Sequence, residues 1–198
     1  MRGHADGAFA IMRDYLIRFQ QTAIKETGRR PLTYLRTPMD EKLVLPGCKR
    51  PGYAFWQPVP WTDGAVPLGP KAKQFHPSIV EYVSMCQFLE IRFHLPVAHM
   101  NSPLSFLYRR TFETCRNTEL ATPAQAFEEA GLYRREHPGV PLSYCMAATC
   151  DGAEPLLLML SAGDGQAFIL HAAGEPRILN LKLGVDRLLP KLQFVYDI

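Results

Sequence analysis

The chain has 198 residues, of which 47% are hydrophobic and 21% charged, with a formal net charge of +3 and a pI near 8.6. This composition excludes a disordered chain, and the length allows one domain to bury a core without metal or disulfide support. The charge is too small and too dispersed for a nucleic-acid-binding domain, where a pI above about 9 and clustered Lys and Arg are expected.

From Asp6 to Thr27, apolar residues Phe9, Met12, Leu16, Phe19 and Ala23 recur at helical spacing, and Gly28 followed by Pro31 supplies the stop. The spacing predicts an amphipathic helix over residues 1–28. Residues 29–52 hold four prolines and read as an irregular connection with one short strand at Leu43 to Leu45. The run Phe55-Trp56-Gln57-Pro58-Val59-Pro60-Trp61 then places both tryptophans within six residues and stiffens them with two prolines. Proline fixes φ, removes a donor and biases the residue before it to extended geometry, so an edge strand or semi-rigid loop is expected. Such an aromatic surface loses little entropy when a partner covers it. The plainer reading is that Trp56 and Trp61 close over the core.

Residues 62–75, rich in Pro and Gly, read as an exposed loop. Pro77 suits the first position of a second helix whose stripe is Ile79, Tyr82, Val83, Cys86 and Leu89. Alternation from Ile91 to Leu95 predicts a strand, and Thr122-Pro123 with Gln125 predicts a capped helix ending at Gly131. The apolar runs Tyr144 to Thr149, Leu156 to Ser161 and Ala167 to His171 read as strands covered on both faces. Leucines from Val185 onward predict a C-terminal helix over 183–198, kinked at Pro190. The sum is a single α+β domain over 1–198, a mostly antiparallel (mixed) sheet flanked by N-terminal, central and C-terminal helices.

Catalytic templates find no strong match. His4, His76, His94, His99, His137 and His171 contain no H-E-x-x-H, and His94 and His99 are five apart, off the face a helical zinc pair needs. Phosphate-loop and nucleophile-elbow motifs are missing, and neighbouring Glu128-Glu129 on a helix point in different directions. We expect no catalytic residue, no metal and no cofactor. Cys48, Cys86, Cys115, Cys145 and Cys150 are an odd set without C-x-x-C spacing, as in reduced buried thiols. No window approaches 18 apolar residues and no signal-peptide pattern opens the chain, so a cytoplasmic protein is expected, peripheral to the inner membrane only through a partner.

The order of features resembles the Syd proteins, which bind the SecY translocation channel, and with them the SUKH superfamily of immunity and scaffold proteins. The likeness runs along nearly the whole chain. It is carried by the N-terminal helix, Gly28-Arg29-Arg30-Pro31, the Trp-Gln-Pro-x-Pro stretch, His76-Pro77-Ser78-Ile79, Gly174-Glu175 and the leucine-rich end. The resemblance implies an α+β fold without a catalytic centre and with a groove that docks another protein. Syd proteins are acidic, which suits the basic channel loops, whereas this chain carries +3; like charges slow association.

The leading expectation is therefore an immunity protein that binds and occludes a cognate toxin, free as a monomer or weak dimer. Neither nucleic-acid binding nor membrane insertion is expected. Tyr53, Trp56 and Trp61 would supply the aromatic centre, and Arg109, Arg110, Arg134 and Arg135 the basic rim. The alternative is docking on SecY's cytosolic loops, which needs an acidic groove built from residues such as Asp40, Glu41, Glu81, Glu90, Glu128 and Glu129.

Overall fold

The computed structural model describes residues 5–35, 41–59, 68–84, 86–96, 104–107, 109–114, 142–149, 156–171 and 177–196. Helix α1 spans Ala5–Thr27, and its predicted stripe buries Leu16, Phe19 and Ala23. Gly28 ends it in the left-handed region at φ 68°, its N–H donating to the Ile24 carbonyl at 2.9 Å, a conformation that glycine adopts without a Cβ penalty.

Three short strands follow: β1 Leu32–Tyr34, β2 Val44–Leu45 and β3 Tyr53–Trp56, in the order β1-β3-β2, all antiparallel. The expected irregular connection thus contains β1 as well as β2. The Trp56 segment is no edge strand, since β3 lies in the middle of its sheet; Pro58 falls beyond the residues β3 pairs within that sheet, where no ladder donor is needed, and Val59 after it forms an isolated bridge with Gln87. Leu68 and Phe75 are buried at the two ends of a 3-10 segment, Gly69–Gln74. That part of the expected loop is therefore anchored to the core.

Helix α2, Pro77–Ser84, buries Ile79, Tyr82 and Val83. A seven-stranded antiparallel sheet completes the fold: β4 Arg92–His94, β5 Thr111–Thr114, β6 Ser143–Thr149, β7 Leu156–Ser161, β8 Gln166–His171, β9 Arg177–Gly184 and β10 Gln193–Val195. The order is β10-β4-β5-β6-β7-β8-β9. One face of this sheet joins α1, α2 and the C-terminal turns in the main core. The other buries Met159, Phe168 and Leu170, so β7 and β8 are covered on both faces, as their unbroken apolar runs predict.

The C-terminal helix over 183–198 requires correction. Residues up to Gly184 complete β9. A single turn, α3 Val185–Leu188, and a 3-10 turn, Leu189–Lys191, then lead into β10. Pro190 cannot continue an α-helix past its first turn. The chain leaves as a strand that pairs with β4 in the register Phe194↔Phe93. Arg18 of α1 donates to the Leu189 and Pro190 carbonyls at 3.3 and 3.2 Å, tying the first helix to this last segment. The predicted helix over 122–131 lies outside the described residues, as do Gly174 and Glu175.

Candidate functional site

Side chains two apart on a strand share a face. In β3 the inward residues are Ala54 and Trp56, and the outward ones are Tyr53 and Phe55, both half-buried. The register sets Leu32 and Leu45 on either side of Phe55, and Tyr34 opposite Tyr53. The outer face of the small sheet therefore carries an apolar row, Leu32, Phe55 and Leu45. Beside it the Tyr34 and Tyr53 rings meet edge-on at 5.5 Å between centroids.

Two concavities of about 320 and 520 Å³ flank this row and share Arg29 and Phe55, so they form one groove with two lobes. Its walls bring Arg29 and Arg30, just beyond the stop of α1, together with Lys49 and Arg50, just before β3. All four are exposed, and none is in an ion pair with a described residue. Local chemistry explains the second pair. The Tyr53 N–H donates to the Arg50 carbonyl at 3.2 Å, closing a turn with Pro51 and Gly52 at its centre, and Gly52 takes φ 76°. Proline suits the second position of such a turn, and a positive φ suits glycine at the third. The turn leaves the Arg50 guanidinium 4.0 Å from the Tyr53 ring centroid, a cation–π contact.

A smaller cleft of about 160 Å³ opens beside β1, where α1, the small sheet and the β4–β5–β10 edge of the large sheet meet. Arg30, Glu90, Arg92 and Glu113 line it. Glu90 accepts from the Thr33 hydroxyl at 2.9 Å and the Tyr34 N–H at 3.3 Å. Glu113 accepts from Arg92 Nε at 3.1 Å. The two carboxylates thus join β1 to the large sheet and β5 to β4, and the charge of the cleft is balanced. Tyr196 closes one wall, its hydroxyl donating to the Phe19 carbonyl, and burial pushes its phenol well above the ordinary value.

Of the residues expected to bind a partner, Tyr53 lies on this outer face but lines the smaller cleft and not the groove. Trp56 does not face outward. It is 0% exposed, on the inner face with its ring 5.9 Å from that of Phe19, because Tyr53 and Phe55 take the outward positions of the pleat. Its indole N–H is buried without a hydrogen-bond partner among the described residues. Arg109 and Arg110 precede β5, and neither lines the groove; Arg110 is half-buried, its carbonyl bonded to His94 Nδ1 at 3.1 Å. Trp61, Arg134 and Arg135 lie outside the described residues. Among the described residues, the basic dipeptides that converge are Arg29-Arg30 and Lys49-Arg50. Their sequence signal was position, one pair beyond a helix stop and the other ahead of a Pro-Gly turn.

The acidic residues form no comparable groove among the described residues. Glu41 is exposed and lines none of these concavities, and Glu90 sits in the balanced cleft. Burial first, and Asp186 second, raise the Glu81 carboxyl above its ordinary value. Asp40, Glu128 and Glu129 are not among the described residues.

His76, Ser78 and Asp164 come together at the start of α2. His76 Nδ1 accepts the Ser78 N–H at 3.3 Å and lies 2.8 Å from its hydroxyl, capping the start of α2. The Gly165 backbone presses on both groups: a Cβ there would fall 2.6 Å from Ser78 Oγ and against the imidazole. Asp164 is held below the ordinary carboxylate value by the Gln166 N–H and then by the Ser161 hydroxyl, with His76 contributing least. Cys48, Cys86 and Cys145 are in no disulfide with a described residue, and burial pushes Cys86 up to about 12, which favours its protonated form. Among the described residues, no three His, Cys, Asp or Glu side chains could hold a metal ion, and no helix is long and apolar enough to cross a membrane. No protein-family model matches the chain, and comparison with curated proteins returns no match.

Proposed function

We propose that this protein is a non-catalytic, cytoplasmic protein-binding module that acts by covering one partner, in the manner of an immunity protein occluding a cognate toxin. One observation carries the reading: four cations with no ion-pair partner among the described residues ring an apolar row on the outer face of the small sheet. Interfaces of this kind place apolar and aromatic anchors at the centre and charge at the rim. The resemblance to Syd and SUKH proteins points the same way. Docking on basic channel loops is disfavoured by the sign of the groove, since like charges oppose encounter.

The test is affinity capture from the native cytosol with the tagged full chain and with Arg29→Glu/Lys49→Glu. The expected result is one stoichiometric protein held by the wild type, lost by the variant, and harmful to cells unless the wild-type chain is co-expressed. A captured protein whose activity is unaffected by saturating binding would contradict occlusion.

A further inference from the structure

Resting on the protein-binding reading, we infer that the small-sheet groove takes an acidic peptide segment of the partner that carries at least one large apolar side chain. Charge sets the first requirement. Arg29, Lys49 and Arg50 line the groove with no carboxylate among its described lining residues, while Arg30 at its edge also faces the balanced cleft with Glu90 and Glu113, and desolvating the three against a neutral surface would cost energy that carboxylates recover.

The floor sets the second. Leu32, Phe55 and Leu45 span all three strands, about 10 Å at the usual strand spacing. Open hollows of about 320 and 520 Å³ beside Phe55 leave room for a leucine or an aromatic ring to lie against it.

A single-stranded nucleic acid would supply the same negative charge but needs open aromatic faces on which bases stack. Two of the three floor residues are aliphatic, and Arg50 already covers the Tyr53 ring. The groove therefore favours a peptide. The partner surface it covers is acidic. A toxin surface built to hold nucleic-acid phosphates is basic and would be repelled. The covered surface is thus not one that holds a polyanion.

Selection of a phage-displayed library of random dodecapeptides on the full chain, followed by fluorescence anisotropy of the enriched peptides, tests this. The expected peptides carry net negative charge and a Leu, Ile, Phe, Tyr or Trp. They should bind more weakly as NaCl is raised and lose about tenfold or more in affinity to Arg29→Glu/Lys49→Glu and to Phe55→Ala. The milder pair Arg29→Ala/Lys49→Ala, with an unchanged melting temperature, separates lost contacts from lost folding and should lose several-fold. The inference is overturned by enrichment of neutral or basic peptides, by no enrichment, by equal binding to the paired variants, or by tighter binding of a 20-residue oligothymidylate. If the groove inference alone is wrong, native capture still yields a partner, held equally by wild type and by Arg29→Glu/Lys49→Glu. If the protein-binding reading is wrong, no partner is captured.

Discussion

The two sheets spend their apolar residues differently. In the large sheet, Leu158, Leu160, Ala167 and Ile169 face the main core while Met159, Phe168 and Leu170 are buried on the other side. In the small sheet only the inner face is buried, through Thr33, Ala54 and Trp56, and the outer face leaves Leu32, Phe55 and Leu45 half-covered under a ring of cations. Buried on both faces, β7 and β8 have no surface left with which to recognise anything, although β9 at the edge of the same sheet is largely exposed. A sheet buried on one face has stability on that side and a surface free on the other, and under the proposed function this division gives the scaffold to the first region and binding to the second.

The largest expected effect that sharpens this contrast is Trp56→Ala on the inner face. Removing a fully buried indole should cost about 3–5 kcal/mol of folding stability, read by chemical denaturation, whereas Phe55→Ala one position away on the outer face should cost well under half of that. Equal losses at the two positions would erase the distinction between the faces.

Next in size is the Gly165 and Gly163 pair in the hairpin between β7 and β8. Gly165 takes φ 68° against His76 and Ser78, while an added Cβ at Gly163 meets only Ser161 Oγ at 4.0 Å. Gly165→Ala should therefore lower stability by about 1–3 kcal/mol and Gly163→Ala by little, compared by melting temperature.

The smallest effect concerns pH. Glu81 has a folded-state value raised above that of the unfolded chain by burial and by Asp186. Below the unfolded value both states are protonated and the group costs nothing. As pH rises through the interval up to the folded value, the unfolded chain ionises first and stability is lost. Glu81→Gln should accordingly stabilise the protein slightly at pH 7 and leave it unchanged at pH 3, by denaturation at the two pH values; destabilisation at pH 7 would show that the carboxylate is held by favourable partners.

The parts of the fold legible in the sequence were those with strong local period. The stripe Leu16, Phe19, Ala23 gave α1, the alternation through Phe93 gave β4, and the apolar runs at 156–161 and 167–171 gave two strands covered on both faces. The end of the chain misled because Val185, Leu188, Leu189 and Leu192 sit at helical spacing yet lie on two tight turns, all four buried. Burial, not helix length, set that period. The site was half legible. Tyr53 and the idea of a basic rim were readable, but the choice of face was not, since one step in register exchanges Trp56 for Phe55. Which basic dipeptides meet is decided by the pairing of β1 with β3, residues about twenty apart in sequence, and no local pattern encodes it.

Hydrogen–deuterium exchange of the full chain, alone and with its captured partner, tests the central claim most directly. The account predicts new protection concentrated in residues 28–35 and 44–56, with β6 to β8 unchanged. Protection that appears elsewhere while those two segments exchange as freely as before would contradict it.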